Sequence, residues 1–362
     1  MKRKRLGILT AGGDCPGLNA VIRAVARTAI LKHGYEVIGF EDGYYGLVKN
    51  RYRPLDFRST AGLITLGGTI LGTSNKDDPF RWFEGGKNGT RPVDRSRDAL
   101  KTFAKHRLDG LVAIGGDGTM AIAGKLGALG APIVGVPKTI DNDLCGTDVT
   151  FGHNTAVTTA MEAIDKIHDT AAAHHRVMVI EVMGRYAGWI ALSAGLSSGV
   201  EAILMPEIPF RMEKICRMVL ARRDQGRRFS IVVVAEGARP RGGKPVVRQV
   251  VATSTDPVRL GGIGQYVAER IERDTGIETR VTILGHLQRG GSPSAFDRIL
   301  ASRFGVAAAE LAARGEYGRM VALKGTRIVP VKISEVAGRQ KQVPRKDPMV
   351  QAARSLGVCF GD

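Results

Sequence analysis

An α/β architecture with mostly parallel sheets is the fold class this sequence predicts, and three observations carry the prediction. Short runs rich in Val, Ile and Leu recur along the chain, the form taken by strands buried on both faces. Amphipathic stretches of helical length lie between them, so the order alternates β and α. Glycine-rich loops follow several of the runs, where an open parallel sheet places its ligands.

The runs fall at 6–9, 37–40, 111–114, 133–136, 177–182, 203–205, 231–235 and 280–284. Helical stretches include 19–32, 119–129, 154–168 and 262–274. Residues 238–264, rich in Gly, Pro, Thr and Arg, and residues 75–95 read as surface loops. No internal repeat or low-complexity tract interrupts the pattern, and 362 residues suffice for two domains with a large core.

Composition narrows the partners. The chain is 43% apolar and 24% charged, within the globular range, and its 53 Lys and Arg against 35 Asp and Glu leave a formal charge of +18. That sign favours anions: nucleic acid, acidic membrane or phosphorylated metabolites. The basic residues come in short pieces such as Arg222-Arg223, Arg227-Arg228 and the pair Arg239 and Arg241, without a zinc-finger, RNP or basic-zipper pattern, and aromatics are only 6%. These features argue against a nucleic-acid partner. The start, Met1-Lys2-Arg3-Lys4-Arg5, resembles a signal-peptide n-region, but the apolar stretch that follows ends at Ala11, too short for export. The most apolar long segment, 177–196, contains Glu181, Arg185 and several glycines and does not read as a membrane span. The expectation is a cytoplasmic protein with no membrane partner. Cys15, Cys145, Cys216 and Cys359 form no CxxC pair and read as reduced thiols, and the side chains of His174-His175 point different ways, which argues against a metal site there.

Chemistry concentrates in the loops after the runs. The first, 10–19, carries Gly12, Gly13 and Gly17 just before a helix, where free N–H groups and the helix dipole favour phosphate; a tight turn without a ligand uses the same glycines. The second, Gly115-Gly116-Asp117-Gly118-Thr119, fits the GxGxxA dinucleotide fingerprint through Gly116, Gly118 and Ala121, with Asp141 where an acidic ribose partner is sought. A nicotinamide-dependent dehydrogenase is therefore one reading. Asp117 favours another, because a bare carboxylate repels pyrophosphate unless a magnesium ion lies between them. The third loop, 137–143, offers Asp141 and Asp143 two residues apart, able in an extended loop to face one cleft as proton acceptor and metal neighbour; Asx turns account for the same residues. The fourth places Arg185 after a buried strand as an electrostatic clamp, and Arg176, Arg280, His286 and Arg289 add phosphate-recognising groups that also suit surface ion pairs. No GxxxxGK[ST] sequence and no protein-kinase motif set is present.

Taken in order, GGDCPGLNAVIR (12–23), GGTILGT (67–73), GGDGT (115–119), PKTIDND (137–143), FGHNTA (151–156), EVMGRYAGW (181–189), AEG (235–237) and LGHLQRGGSP (284–293) resemble the signature series of the phosphofructokinase family, in its ATP-type form with a lysine in the PKTIDND loop. The resemblance runs from about residue 4 to residue 329. It implies two Rossmann-like α/β domains with the active site in the cleft between them: 1–152 plus 288–338 for the donor, 153–287 plus 339–362 for fructose 6-phosphate. It implies transfer of phosphoryl from Mg-ATP to the sugar 1-hydroxyl, a step of glycolysis, in a homo-oligomer, tetramer or dimer, with shared sites.

Carried over position by position, Gly13, Gly116, Asp117, Gly118, Thr119, Asp143 and Lys138 bind the donor, with Asp117 at Mg2+. Asp141 is the general base, and Thr139 and Arg185 steady the transferring group. Met183, Gly184, Glu236, His286 and Arg289 bind the sugar phosphate with Thr139, Asp141 and Arg185, joined by Arg176 and Arg280 from a neighbouring subunit. Two departures stand out. Asn75 replaces an arginine usual in bacterial ATP-type members, with Lys76 or Lys138 as substitutes; effector-binding arginines are matched at Arg23 and Arg27 but become Phe57 and His168. Gly118 favours ATP, whereas Lys138 matches pyrophosphate-using members, so a pyrophosphate-dependent or mixed-donor enzyme is an alternative; the dehydrogenase and a catalytically inactive regulatory paralogue are alternatives of a different class.

Overall fold

The buried runs form strands because no face of them is left for water: β1 (Arg5–Thr10), with α1 (Leu18–His33), β2 (Glu36–Phe40), α2 (Tyr44–Lys49), β3 (Tyr52–Leu55), α3 (Ser96–His106), β4 (Gly110–Gly115), α4 (Asp117–Ala128) and β5 (Ile133–Pro137), builds most of one sheet. A computed structural model of the chain describes residues 3–83, 91–250 and 258–362. The second sheet comes from α5 (His153–His174), β6 (Val177–Val182), α6 (Trp189–Ser197), β7 (Ala202–Leu204), α7 (Met212–Asp224) and β8 (Ser230–Ala235). The hairpin of β9 (Val247–Val250) and β10 (Val258–Leu260) then leads through α8 (Ile263–Thr275) to β11 (Thr279–Ile283). The chain returns to the first sheet with α9 (Ala295–Ala313), β12 (Arg319–Lys324), β13 (Arg327–Lys332) and α10 (Ile333–Val336), and α11 (Pro348–Ser355) packs back on α6.

The larger sheet has the order β13-β12-β5-β4-β1-β2-β3, parallel except for its edge strands β3 and β13; the smaller, β11-β6-β8-β7, is wholly parallel. One hydrophobic cluster runs between the sheets, from Val21 and Phe304 through Phe151 to Ile180 and Val233, while separate clusters lie under α2, α3 and α4 and under α7 and α8. Gly305 lets α9 close on α1: a Cβ there would sit 2.6 Å from the Ala24 Cβ and 2.9 Å from the Val21 carbonyl oxygen.

Where boundaries differ from the sequence-based expectation, local chemistry explains it. The α5 helix continues past 168 because the alanines at 171–173 sustain it, until His175 at φ 57° closes it. The α4 helix begins at Asp117, since Gly116 supplies an extended cap and an acidic residue suits the first turn. The loop expected over 238–264 contains the β9–β10 hairpin. Its residues 251–257, residues 84–90 of the loop expected at 75–95, and the first two residues of the basic start lie outside the described residues.

The connection back to the larger sheet is fastened by Asp297, fully buried in the first turn of α9. Its carboxylate accepts from Thr155 N (2.7 Å) and Thr155 Oγ1 (2.6 Å) at the start of α5, and Ser294 Oγ donates to Asn154 Oδ1 (2.8 Å). Truncation strands two buried donors. Asp297→Ala should lower stability by about 1–3 kcal/mol, read as a lower urea midpoint; an unchanged midpoint would deny Asp297 this role.

Candidate active site

Loops at the carboxyl ends of β1, β4, β5, β6 and β8 open onto one cleft of about 680 Å³, lined from both sheets. It gathers most of the residues singled out from sequence: Gly13, Gly116, Asp117, Gly118, Thr119, Lys138, Thr139, Asp141, Asp143, Met183, Arg185, Glu236, His286 and Arg289. Gly184 sits between two of them at φ 132°, with a would-be Cβ 2.8 Å from the Ala187 carbonyl oxygen. Arg176, just before β6, and Arg280, on the neighbouring β11, lie elsewhere, both paired with Glu278 at 2.9 and 2.5 Å.

The β1 and β5 loops hold each other through a buried cation. Lys138 is 3% exposed, and its Nζ donates to the Gly13 carbonyl oxygen. Burial pushes its pKa down. Arg289 donates from Nη1 to the Asp14 carbonyl oxygen at 3.0 Å, so close that a Cβ on Gly13 would lie 2.6 Å from the same nitrogen. Opposite, among the described residues, no side chain caps the N-terminus of α4 and no atom comes within 4 Å of where a Gly118 Cβ would project. Asn75 also lines the cleft, whereas Lys76 is not among the lining residues.

The acidic loop is shaped by hydrogen bonds. Asp141 N donates to Thr139 Oγ1 (3.1 Å), Thr150 Oγ1 donates to the Thr139 carbonyl oxygen (2.7 Å), and His153 Nδ1 meets the Ile140 carbonyl oxygen at 2.7 Å. Asn142 turns the chain at φ 52°, in the left-handed region that asparagine tolerates, and accepts from Thr150 N at 3.2 Å. Asp141 and Asp143, on either side, both reach the cleft.

Electrostatics there run against the charge of the whole chain. Asp14, Asp77, Asp117, Asp141, Asp143 and Glu236 line the cleft with Lys138, Arg185 and Arg289, so acids outnumber permanent cations. The basic excess is not what makes this cleft receptive to anions. Burial raises the Asp141 pKa, with Arg289, Lys138 and Arg185 pulling it back. Burial and the Asp141 charge push Asp143 up to about 7, and burial with the charges of Asp141 and Glu181 pushes Glu236 up to about 7. Asp117 is raised by burial against a 2.6 Å hydrogen bond from Gly338 N. Asp141 Oδ1 is buried with no hydrogen-bond partner among the described residues.

On the other wall, Arg185 donates from Nη2 to the Val258 carbonyl oxygen and lies over the Tyr186 ring at 4.9 Å. Gly237 makes room for it, since a Cβ there would fall 2.0 Å from the Arg185 carbonyl oxygen. Sequence reasoning missed several supports. Tyr44 donates from its hydroxyl to the Thr119 carbonyl oxygen (2.9 Å), Gln288 accepts from Met183 N (3.3 Å), and Gly338 reaches Asp117 from near the end of the chain. Gln288 was visible inside LGHLQRGGSP; Tyr44 and Gly338 stand in no motif.

The sequence profile described as Phosphofructokinase matches residues 5–312. A Chloroflexus aurantiacus protein named ATP-dependent 6-phosphofructokinase is 52% identical over 100% of this chain and 99% of its own length. A Streptomyces coelicolor protein named pyrophosphate–fructose 6-phosphate 1-phosphotransferase is 48% identical over 99% of this chain and 100% of its own. Among solved structures, phosphofructokinase from Saccharomyces cerevisiae superposes with a TM-score of 0.77 at 30% identity, covering 92% of this chain; the chain spans 45% of that yeast chain.

The raised carboxylates leave a signature in the ligand-free protein. Asp143 and Glu236, ordinarily near 3.8 and 4.5, keep their protons up to about 7 when folded, so folding takes up protons between those values. Their contribution to stability is present at low pH and is lost as pH rises towards 7. Asp143→Asn should therefore gain more in urea midpoint over the parent at pH 8 than at pH 5. Equal differences at the two pH values would show that Asp143 is not held neutral.

Proposed function

The chain belongs to the phosphofructokinase family, and we propose that it transfers the terminal phosphoryl group of ATP to the 1-hydroxyl of fructose 6-phosphate, giving fructose 1,6-bisphosphate and ADP. The observation that carries the reading is Asp141, whose buried Oδ1 has no partner among the described residues and lies in a cleft with Lys138, Arg185 and Arg289. An oxygen so placed, with a raised pKa, suits a general base. The dinucleotide reading of Gly116, Gly118 and Ala121 gives way to the family assignment.

In this mechanism Asp141 takes the proton of the sugar 1-hydroxyl as its oxygen bonds to the γ-phosphorus, and the bond to the departing ADP breaks in line. Arg185, Thr139 and Lys138 neutralise and steady the transferring group, and the open N-terminus of α4 receives the donor phosphates with Gly13 and Thr119. Met183, Gly184, Glu236, His286 and Arg289 hold the sugar phosphate. Mg2+ fits the donor set, since the cleft carries an excess of carboxylates, whose mutual repulsion a hard cation relieves. Asp117, with Asp143 nearby, would hold the ion, which supplies charge neutralisation to the donor phosphates when bound.

The larger sheet, 1–152 with 288–338, serves as the donor half and 153–287 with 339–362 as the sugar half. Arg176, just before β6, and Arg280, on the neighbouring β11, lie outside the cleft and suit a role in the site of an adjoining subunit of a homo-oligomer. Soluble substrates go with a cytoplasmic location; among the described residues no helix is long and apolar enough to cross a membrane.

Asp141→Asn keeps the shape and removes the basicity, so turnover should fall by about 10² to 10⁴ with the fold intact; unchanged turnover in a coupled assay would sink the role. The donor is tested at Gly118. An aspartate there meets open space and no packed atom, so Gly118→Asp should fold normally while its charge opposes the α-phosphate of ATP, lowering kcat/KM for ATP more than for pyrophosphate. Lys138 supports the alternative donor, a preference named for the Streptomyces relative. A higher kcat/KM with pyrophosphate in the unmodified enzyme would replace ATP as the donor.

A further inference from the structure

Between the end of the family match at residue 312 and α11 lies a short segment, 338–343, that touches the loops bearing Asp117 and Asp143. Gly338 N donates to Asp117 Oδ1 at 2.6 Å. Gln340 bridges to Leu144, just past the acidic loop, and lines the cleft. Lys341 N donates to the Asp143 carbonyl oxygen at 2.6 Å. The Lys341 ammonium spends its three hydrogens on Asn142 Oδ1 (2.9 Å) and the carbonyl oxygens of Thr147 (3.0 Å) and Asp148 (2.8 Å). Asn142 is the left-handed residue that separates Asp141 from Asp143.

The same segment is fastened at its other side to the smaller-sheet half. Trp189 Nε1, in the first turn of α6, donates to the Lys341 carbonyl oxygen at 3.0 Å, and Val343 N donates to Glu207 Oε1 at 2.9 Å. Glu207 in turn accepts from Gly188 N, at 3.0 Å to the same oxygen. The segment is thus a strap with one side on Asp117, Asn142 and Asp143 and the other on α6 and its neighbours.

We infer that Lys341 is a positioning residue for phosphoryl transfer, holding the Asn142 turn so that the Asp141 and Asp143 carboxylates stay aimed into the cleft. This rests on the reaction proposed above. Lysine does the work through its geometry: three carbonyl-type acceptors from one loop converge on one ammonium, which no neutral side chain of similar length can match. The charge is kept at a cost, because burial pushes its pKa down to about 8 while Asp148 and Asp143 pull upward.

The test uses Lys341→Met, which keeps the stem and removes the donors, with Trp189→Phe as a milder variant that removes the bond to the Lys341 carbonyl oxygen and narrows the ring 5.6 Å from the ammonium while leaving its three hydrogen bonds in place. Two readouts are taken on the full-length proteins. Hydrogen exchange should quicken in peptides covering 139–150 and stay unchanged in 110–115, the central strand β4. In the coupled assay kcat should fall about 10- to 100-fold for Lys341→Met and less for Trp189→Phe, with KM for both substrates within about threefold. Unchanged exchange in 139–150, or kcat within twofold of the parent, would overturn the inference. A loss confined to KM would also overturn it, since binding and not aim would then be at stake. If Lys341→Met fails to fold, Trp189→Phe decides by the same two criteria. A parent without phosphotransferase activity would defeat the proposed reaction, and exchange in 139–150 alone would then decide whether Lys341 holds the loop.

Discussion

Two carboxylates separated by one residue, Asp141 and Asp143, stand in a cleft that takes them out of water, and the surrounding architecture is what keeps them there. Left alone, such a pair swings apart or protonates and collapses onto a donor. Here the turn between them is locked from several directions: Thr150 and His153 below, Lys341 behind, and the parallel strand β5 feeding the loop in. The parallel sheet matters because it aims every loop at the same end. The glycines matter because Arg289 and Arg185 must come within touching distance of backbone. Cost and function meet in the same atoms, since the desolvation that raises the carboxylates also strengthens their interaction with whatever charge enters the cleft.

Much of this was legible before any coordinates. Strands buried on both faces declare themselves as unbroken aliphatic runs, so β1, β4, β5, β6 and β8 were all anticipated within a residue or two. The loops that follow them carry the residue types that phosphate chemistry requires, and ordered motifs turned those types into a family resemblance. What escaped did so for physical reasons. The strands β3 and β13 escaped because their patterning is mixed and each is an edge of the larger sheet. Gly338 and Lys341 lie far from Asp117 and Asp143 in sequence, outside every motif; only folding makes them neighbours.

Charge was the least transferable of the sequence signals. A total of +18 described the surface field, yet the cleft proved richer in acids than in permanent cations. Net charge says which molecules approach and little about how a site is wired. Local wiring was readable instead from individual residues, Asp117 among them, a carboxylate inside a glycine loop where a metal-free phosphate site has no use for one.

The strand order of the larger sheet carries a consequence for synthesis. β5 pairs on one side with β4, its near neighbour in the chain, and on the other with β12, where Arg319 meets Val134 and Met320 meets Gly135. On a ribosome, the whole of the smaller sheet emerges before that second partner does. Until then one flank of β5, every residue of which ends up buried, has its ladder groups unpaired, and α1 awaits the α9 face that Gly305 fits to it. A nascent chain in this condition presents a sticky, template-like edge. The finished protein hides it behind β12 and shows the outside a last strand, β13, bearing Arg327, Pro330 and Lys332, residues that discourage further pairing. Protection is installed last, so the flank of β5 stays open throughout the interval before β12 docks.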